Sequence, residues 1–315
     1  RVIRRLISVG CLATWFLTML ATRLLLGLGW DICLLFGALK VVTGPTVIVP
    51  MLRSIRPNRS IAHILRWEGI LIDPIGAILS VLVYEVILAG AEASMGHTIL
   101  TLGRMVLIGS TLGLAAGQLL GELMRRHWLP EYLHNVFALA LVCGIFTVSD
   151  LLQGESGLLA VTVMGMRLAN MRDVNTDRLL DFKESISVLL ISLLFIILAA
   201  RLQPDAMLQL GWAGLGVLAA VQFLARPISV ALSTVGTQLP LRDRQLLAWI
   251  APRGIVAAAV SSLFALRLEQ VGHPEAGFLV PLTFMVLIGT VILQGWCRDH
   301  AGSDAQCHIS ISWHR

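Results

Sequence analysis

An all-α, polytopic membrane fold is predicted by three features of this sequence. Hydrophobic residues make up 57% of its 315 positions and charged residues only 14%, where a soluble domain carries about a quarter charged. The apolar residues fall into runs of roughly twenty, the length an α-helix needs to cross hydrocarbon. Cations collect in alternate connections between those runs, the pattern that sets the topology of a multi-span protein.

About ten crossing segments follow, near 6–28, 31–51, 67–90, 98–124, 133–150, 155–170, 184–203, 206–225, 245–268 and 276–296. The sixth is short. It opens at Gly154-Glu155-Ser156-Gly157 and reads either as a half-helix or as a tightly packed span. Arg1, Arg4 and Arg5 precede the first segment, and Arg53, Arg56, Arg59 and Arg66 follow the second. Arg125 and Arg126 follow the fourth, Arg167, Arg172, Arg178 and Lys183 surround the 171–183 loop, and Arg226, Arg242 and Arg244 separate the eighth from the ninth. All share one face if every segment crosses once, and the positive-inside rule makes that face cytoplasmic. Glu85, Glu92, His97, Asp150, Asp205, Glu269 and Glu275 fall on the other.

Two segments are interrupted. The second breaks at Thr43-Gly44-Pro45 and the ninth at Ala251-Pro252-Arg253-Gly254, because proline removes an amide donor and glycine tolerates non-helical backbone. They run in opposite directions and each is followed by one more segment, which predicts an inverted repeat of about 6–90 and 206–296. That expectation rests on topology and break position, since the halves share no visible sequence identity.

Several classes are excluded. The net charge of +5 is spread over connections, so it reads as topology and not as nucleic-acid binding. Cysteines 11, 33, 143, 297 and 307 show no paired spacing; the first three lie in apolar runs and are expected to be buried, with no disulfide framework or zinc site. Arg125-Arg126-His127-Trp128 with Glu131 and His134 is read as an interfacial helix and not a metal cluster. Phe182-Lys183-Glu184 places an acid at the start of a span, suited to a helix N-terminus. HExxH, GxSxG and phosphate-binding glycine loops are missing from the sequence, so neither an enzyme nor a cofactor is expected. No signal peptide is visible, and the opening straight into a span suggests missing earlier sequence.

The chemistry-bearing residues lie between 40 and 76. Asp73 is seven residues past Arg66, about 10 Å along a helix, and a carboxylate inside a span is a functional-site hypothesis by default. A proton and a metal ion compete for such a group; a structural acid satisfied by backbone amides is the alternative. Thr43, Gly44 and Thr46, with Pro45, would supply carbonyls and hydroxyls as hard ligands for a small cation. A Gly-Pro kink without function is the competing reading. Glu68 pairs in this reading with Arg253, the obvious buried cation, fixing helices and not binding the ion; otherwise it is interfacial beside Arg66. Lys40 either reaches Asp73 and modulates ion binding, or snorkels or pairs elsewhere. A broken helix beside a buried acid is the pattern of an ion-translocating transporter.

At these residues the chain resembles the cation:proton antiporter superfamily, in the branch of NhaP-type bacterial Na+/H+ antiporters and animal sodium/hydrogen exchangers. Thr43-Gly44-Pro45 stands where that family usually has a Thr-Asp-Pro break, and Glu68-Gly69-Ile70-Leu71-Ile72-Asp73 aligns with its Glu-Ser-Leu-Leu-Asn-Asp stretch. Ser156 to Asn170, Phe182-Lys183-Glu184 to Phe195, and Pro252-Arg253-Gly254 resemble later signatures in the right order. The resemblance covers the chain to about Gln294. It implies an inverted-repeat antiporter fold and a homodimer exchanging Na+, K+ or Li+ for H+ by alternating access. It also implies a role in pH homeostasis in a bacterial inner membrane. Asp73 would be the ion- and proton-carrying (transported metal) residue, Thr43 a backbone ligand, and Glu68 with Arg253 the structural pair. The family also implies two or three helices before Val2.

Gly44, Gly69 and Ile72 depart from the family's aspartate, serine and asparagine. Water or main chain must then complete the coordination shell, and a transport-inactive scaffold or sensor retaining the fold is the alternative. Residues 1–296 are expected to form the transmembrane domain and 297–315 a disordered polar tail, with no nucleotide-binding domain after it.

Overall fold

The computed structural model describes residues 2–43, 48, 51–52, 57–89, 95–126, 128, 130–154, 156–171, 177–200, 204–237, 239–250 and 254–309. Side chains at 89, 95–99, 102, 131, 177–178, 181, 195, 198, 204, 206, 255 and 295–309 lie outside that description.

Helix is the only regular structure among the described residues. α1 (Val2–Arg5) continues through a π-helical turn at Leu6–Gly10 into α2 (Cys11–Leu26). Gly27 closes α2 in left-handed backbone at φ 67°, a conformation glycine adopts without penalty. Then come α3 (Trp30–Val41), α4 (Arg59–Ala89), α5 (Met95–Arg125), α6 (His134–Leu152), α7 (Ser156–Ala169) and α8 (Asp177–Ala200). α9 (Pro204–Ala220) passes through a second π-helical turn, Val221–Ala225, into α10 (Arg226–Thr234). α11 (Leu241–Trp249), α12 (Ile255–Gln270) and α13 (Leu279–Ile309) complete the order.

Each of the ten predicted segments contains helix. Six helices among the described residues are long and apolar enough to cross a membrane: Val2–Leu26, Arg59–Leu88, Gly103–Arg125, His134–Leu152, Met207–Thr234 and Pro274–Gln294. α7 is apolar but shorter, while α3 and the α11/α12 pair are the interrupted segments. The protein is an integral, multi-pass membrane protein.

The chain forms two compact units, Arg1–Gly76 with Ile197–Arg315, and Ala77–Ile196. Unit 1 draws on both stretches that the sequence reads as repeats. Its centre is α3, buried almost all round from Ile32 to Val41, as a helix apolar on every face must be. α2 packs on it closely: a Cβ at Gly37 would lie 2.8 Å from the Trp15 carbonyl oxygen, and Trp15 Nε1 donates to Leu34 O at 3.0 Å. The leading helices of the two stretches run antiparallel. Gly216 faces Leu25 at one end, and Ser229 Oγ donates to Gly10 O at 3.0 Å at the other. A Cβ at Gly10 would meet Ser233 Oγ at 2.8 Å.

In unit 2, Gly109, Gly113, Gly117 and Gly121 recur every fourth residue along α5. Cβ atoms at Gly113 and Gly117 would fall 2.3 and 2.8 Å from the carbonyl oxygens of Ala160 and Met164 on α7. Glycine alone permits this backbone approach, the usual device where lipid supplies no hydrophobic drive. Ser149 and Ser156 hydroxyls, 2.7 Å apart, join α6 to α7. Arg125 and Arg126 pair with Glu122 at 2.9 and 2.5 Å.

Several expectations need correction. The eighth segment does not stop at 225, because Arg226 is buried inside a continuing helix and paired, so it is no loop cation. α8 begins at Asp177, which places Glu184 inside the helix and not at its N-terminus. Cys143 is exposed on the thinly covered α6, while Cys11 and Cys33 are buried. α13 runs as helical backbone to Ile309. No proline interrupts Gln294–Ile309, and isolated glycines cost a helix only about 1 kcal/mol each.

Candidate functional site

α3 ends where the sequence stops supporting helix. Val42 is extended at φ −61° and ψ 119°, and Thr43, 4% exposed, is non-helical. Gly44, Pro45 and Thr46 lie outside the described residues. α4 runs past this unwound end without breaking, although Pro74 sits inside it and removes one amide from its ladder. The two meet at Gly76, where a Cβ would lie 2.7 Å from Val42 Cγ2 and 3.2 Å from Val42 N. Asp73 is three residues earlier and so on the same helical face. Its Oδ1 is buried without a hydrogen-bond partner among the described residues, and so is Thr43 Oγ1.

Glu68, five residues before Asp73, is 2% exposed. The sequence pairs it with Arg253, which lies outside the described residues; the partner in the structure is Arg226. Arg226 Nη1 bonds Glu68 Oε1, and Nη2 donates to Oε2 at 3.0 Å. Arg226 Nε also donates to Leu247 O at 3.2 Å and Nη2 to Ile250 O at 3.0 Å. Gln222 Nε2 donates to Trp249 O at 2.9 Å. These carbonyls belong to the end of α11, where helix leaves them without amide partners. The guanidinium and the amide therefore cap α11 at the break, before the chain re-enters helix as α12 after the extended Gly254.

Lys40 lies in the last turn of α3, 1% exposed, so it does not snorkel. Its Nζ donates to Thr283 O on α13 at 3.3 Å and stands 4.9 Å over the Phe36 ring. A cation there also suits the carbonyl end of a half-helix.

Arg226 and Gln222 were not legible as site residues, because an arginine ending an apolar run reads as a loop cation. A signal was present in the spacing of Gln222, Arg226, Ser229 and Ser233, which keeps four polar residues on one helical face across the supposed boundary.

A carboxylate with one oxygen buried and unpartnered among the described residues, beside backbone that no longer serves a helix, offers hard oxygen ligands to a cation or a seat for a proton. A family model described as "Sodium/hydrogen exchanger, transmembrane" matches residues 1–297. The chain belongs to that family. Membership in this exchanger family agrees with the expectation of a transporter and not an enzyme. The K(+)/H(+) antiporter NhaP of Alkalimonas amylolytica is 27% identical over 293 residues, covering 92% of this chain and 50% of that protein. The Probable Na(+)/H(+) antiporter 2 of Methanocaldococcus jannaschii is 24% identical over 298 residues, covering 85% and 69%. The solved sodium proton antiporter MjNhaP1 of the same organism shares the exchanger fold, with TM-score 0.80 and 24% identity over 94% of this chain and 77% of that one. The chain spans about half the length of the first curated relatives it matches.

Proposed function

We propose that this exchanger-family chain carries out antiport of a monovalent cation, Na+, K+ or Li+, against H+ through Asp73. The observation that carries the reading is the buried Asp73 Oδ1, without a partner among the described residues, on the face of α4 that crosses the unwound end of α3. Relatives named as K(+)/H(+) and Na(+)/H(+) antiporters support the substrate class. Proton and cation take the carboxylate in turn, and alternating access exposes it to each side. Thr43, with Gly44 and Thr46, contributes main-chain oxygens. The Glu68–Arg226 pair and the Gln222 contact hold α4 against the α11 break, and Lys40 holds α3 to α13. The protein works as a homodimer in a bacterial cytoplasmic membrane. The test is proteoliposome flux with the full-length protein. Dissipation of a proton gradient on adding Na+, K+ or Li+, abolished by Asp73→Asn, supports antiport; no cation-dependent flux between about pH 6 and 9, the range a proton–cation competition would cover, sinks it.

A further inference from the structure

We propose that the arginine-bearing end of unit 1 is a docking surface for anionic phospholipid headgroups. Arg4, Arg5, Arg59, Arg66 and Arg242 are all exposed. Packing brings their segments together, because the apolar residues beside them form one buried cluster: Leu6 next to Arg5, Ile61 near Arg59, Leu65 next to Arg66, and Leu247, five residues after Arg242. The backbone segments that carry these arginines therefore meet at one apolar core.

Among the described residues little neutralises them. The guanidiniums of Arg4, Arg59, Arg66 and Arg242 make no ion pair or hydrogen bond among the described residues, and Arg5 gives one N–H to Val235 O. Asp243 is the one acid beside them in these elements, since Glu68 is taken by Arg226. The contrast with unit 2 is direct, because Arg125 and Arg126 there are both paired with Glu122. Trp67, 42% exposed beside Arg66, donates Nε1 to His63 Nε2 at 2.9 Å, and an exposed indole beside arginines is the amphipathic anchor that membrane interfaces favour. Guanidinium matches phosphodiester oxygens bidentately, and unpaired cations at a membrane surface attract anionic lipid. Arg59 and Arg66 share α4 with Asp73, so a bound headgroup grips the helix that carries the acid.

Native mass spectrometry and thermal melting of the full chain in detergent test this, with phosphatidylglycerol, phosphatidylcholine and inorganic phosphate as probes. Phosphatidylglycerol is expected to be retained and to raise the melting temperature, while the other two do neither. The effect should fade at ~1 M salt, where the Debye length is about 3 Å. Arg66→Gln with Arg242→Gln should weaken phosphatidylglycerol binding about 25-fold, at roughly 1 kcal/mol per arginine, and Arg125→Gln with Arg126→Gln should not. Equal retention of phosphatidylcholine, stabilisation by phosphate alone, or undiminished binding in the Arg66/Arg242 variant overturns the proposal. If that double variant does not fold, Arg66→Gln alone carries the test, with about fivefold expected. None of these outcomes depends on which ion is exchanged.

Discussion

Arg226 and Glu68 meet through both guanidinium Nη atoms and both carboxylate oxygens, in the interior of unit 1. The same guanidinium also satisfies Leu247 O and Ile250 O, so four of its five N–H donors are used. Removing either partner strands a buried charge, at a cost of about 3–5 kcal/mol. Arg226→Ala and Glu68→Ala should each lower the melting temperature of the purified protein strongly. Arg226→Lys should rescue little, because an ammonium cannot span two carboxylate oxygens and two carbonyls at once. A lysine variant that melts with the wild type would show that charge alone matters.

Asp73 invites a prediction that separates binding from transport. A cation held by its carboxylate binds the folded state only, so it should stabilise the protein by about 2.7 kcal/mol at a hundred times Kd. Melting curves with and without Na+ or K+ should show that shift, and it should shrink as pH falls, since protons compete for the same oxygens. In Asp73→Asn the shift should vanish while the fold stays intact, because the amide keeps the shape and sheds the charge. A cation-induced shift that survives the substitution would place the ion elsewhere.

Much of this architecture could be read from residue order, and the exceptions have a common physical origin. Apolar run length located all ten segments, and Thr43-Gly44-Pro45 marked the end of α3 because proline and glycine act locally. Asp73 stood out because an acid inside an apolar run is conspicuous. Arg226 did not, since its burial depends on Glu68, 158 positions away in sequence. Charge at the edge of an apolar run looks the same whether it meets water or a distant carboxylate. Lys40 was undecided for a similar reason: one of its partners, Thr283 O, lies on α13.

Gly76 sets the distance between α4 and the unwound end of α3. A Cβ there would come within 2.7 Å of Val42 Cγ2 and 3.2 Å of Val42 N. Gly76→Ala should therefore cost about 1–3 kcal/mol by overpacking. Larger side chains should push α4 away from Thr43 and weaken cation binding more than they weaken the fold. Apparent cation affinity measured beside melting temperature for Ala and Val variants checks this. Equal losses of both would mean Gly76 serves packing alone.

Lys40 is buried with its ammonium on Thr283 O. Lys40→Met keeps the apolar stem and removes the cation, leaving that carbonyl without the ammonium, at about 1–3 kcal/mol. In the same variant a positive charge leaves the end of α3, so a cation entering beside Thr43 should bind more tightly. Flux titrations should show a lower half-saturating cation concentration than the wild type; an unchanged value would make Lys40 a tie between α3 and α13 and nothing more.

Two glycines on α5 make a matched pair of substitutions. A Cβ at Gly113 would fall 2.3 Å from Ala160 O, whereas a Cβ at Gly103 meets nothing within 4 Å. The first obstacle is backbone and cannot swing aside, so Gly113→Ala must separate α5 from α7. It should lower stability by about 1–3 kcal/mol. Gly103→Ala fills open space and gains helix propensity of up to about 1 kcal/mol, so it should be neutral or slightly stabilising. Thermal melting of both variants in one detergent decides the matter. If Gly113→Ala melts no lower than Gly103→Ala, the close backbone contact does not hold unit 2 together, and the four-residue glycine spacing needs another cause.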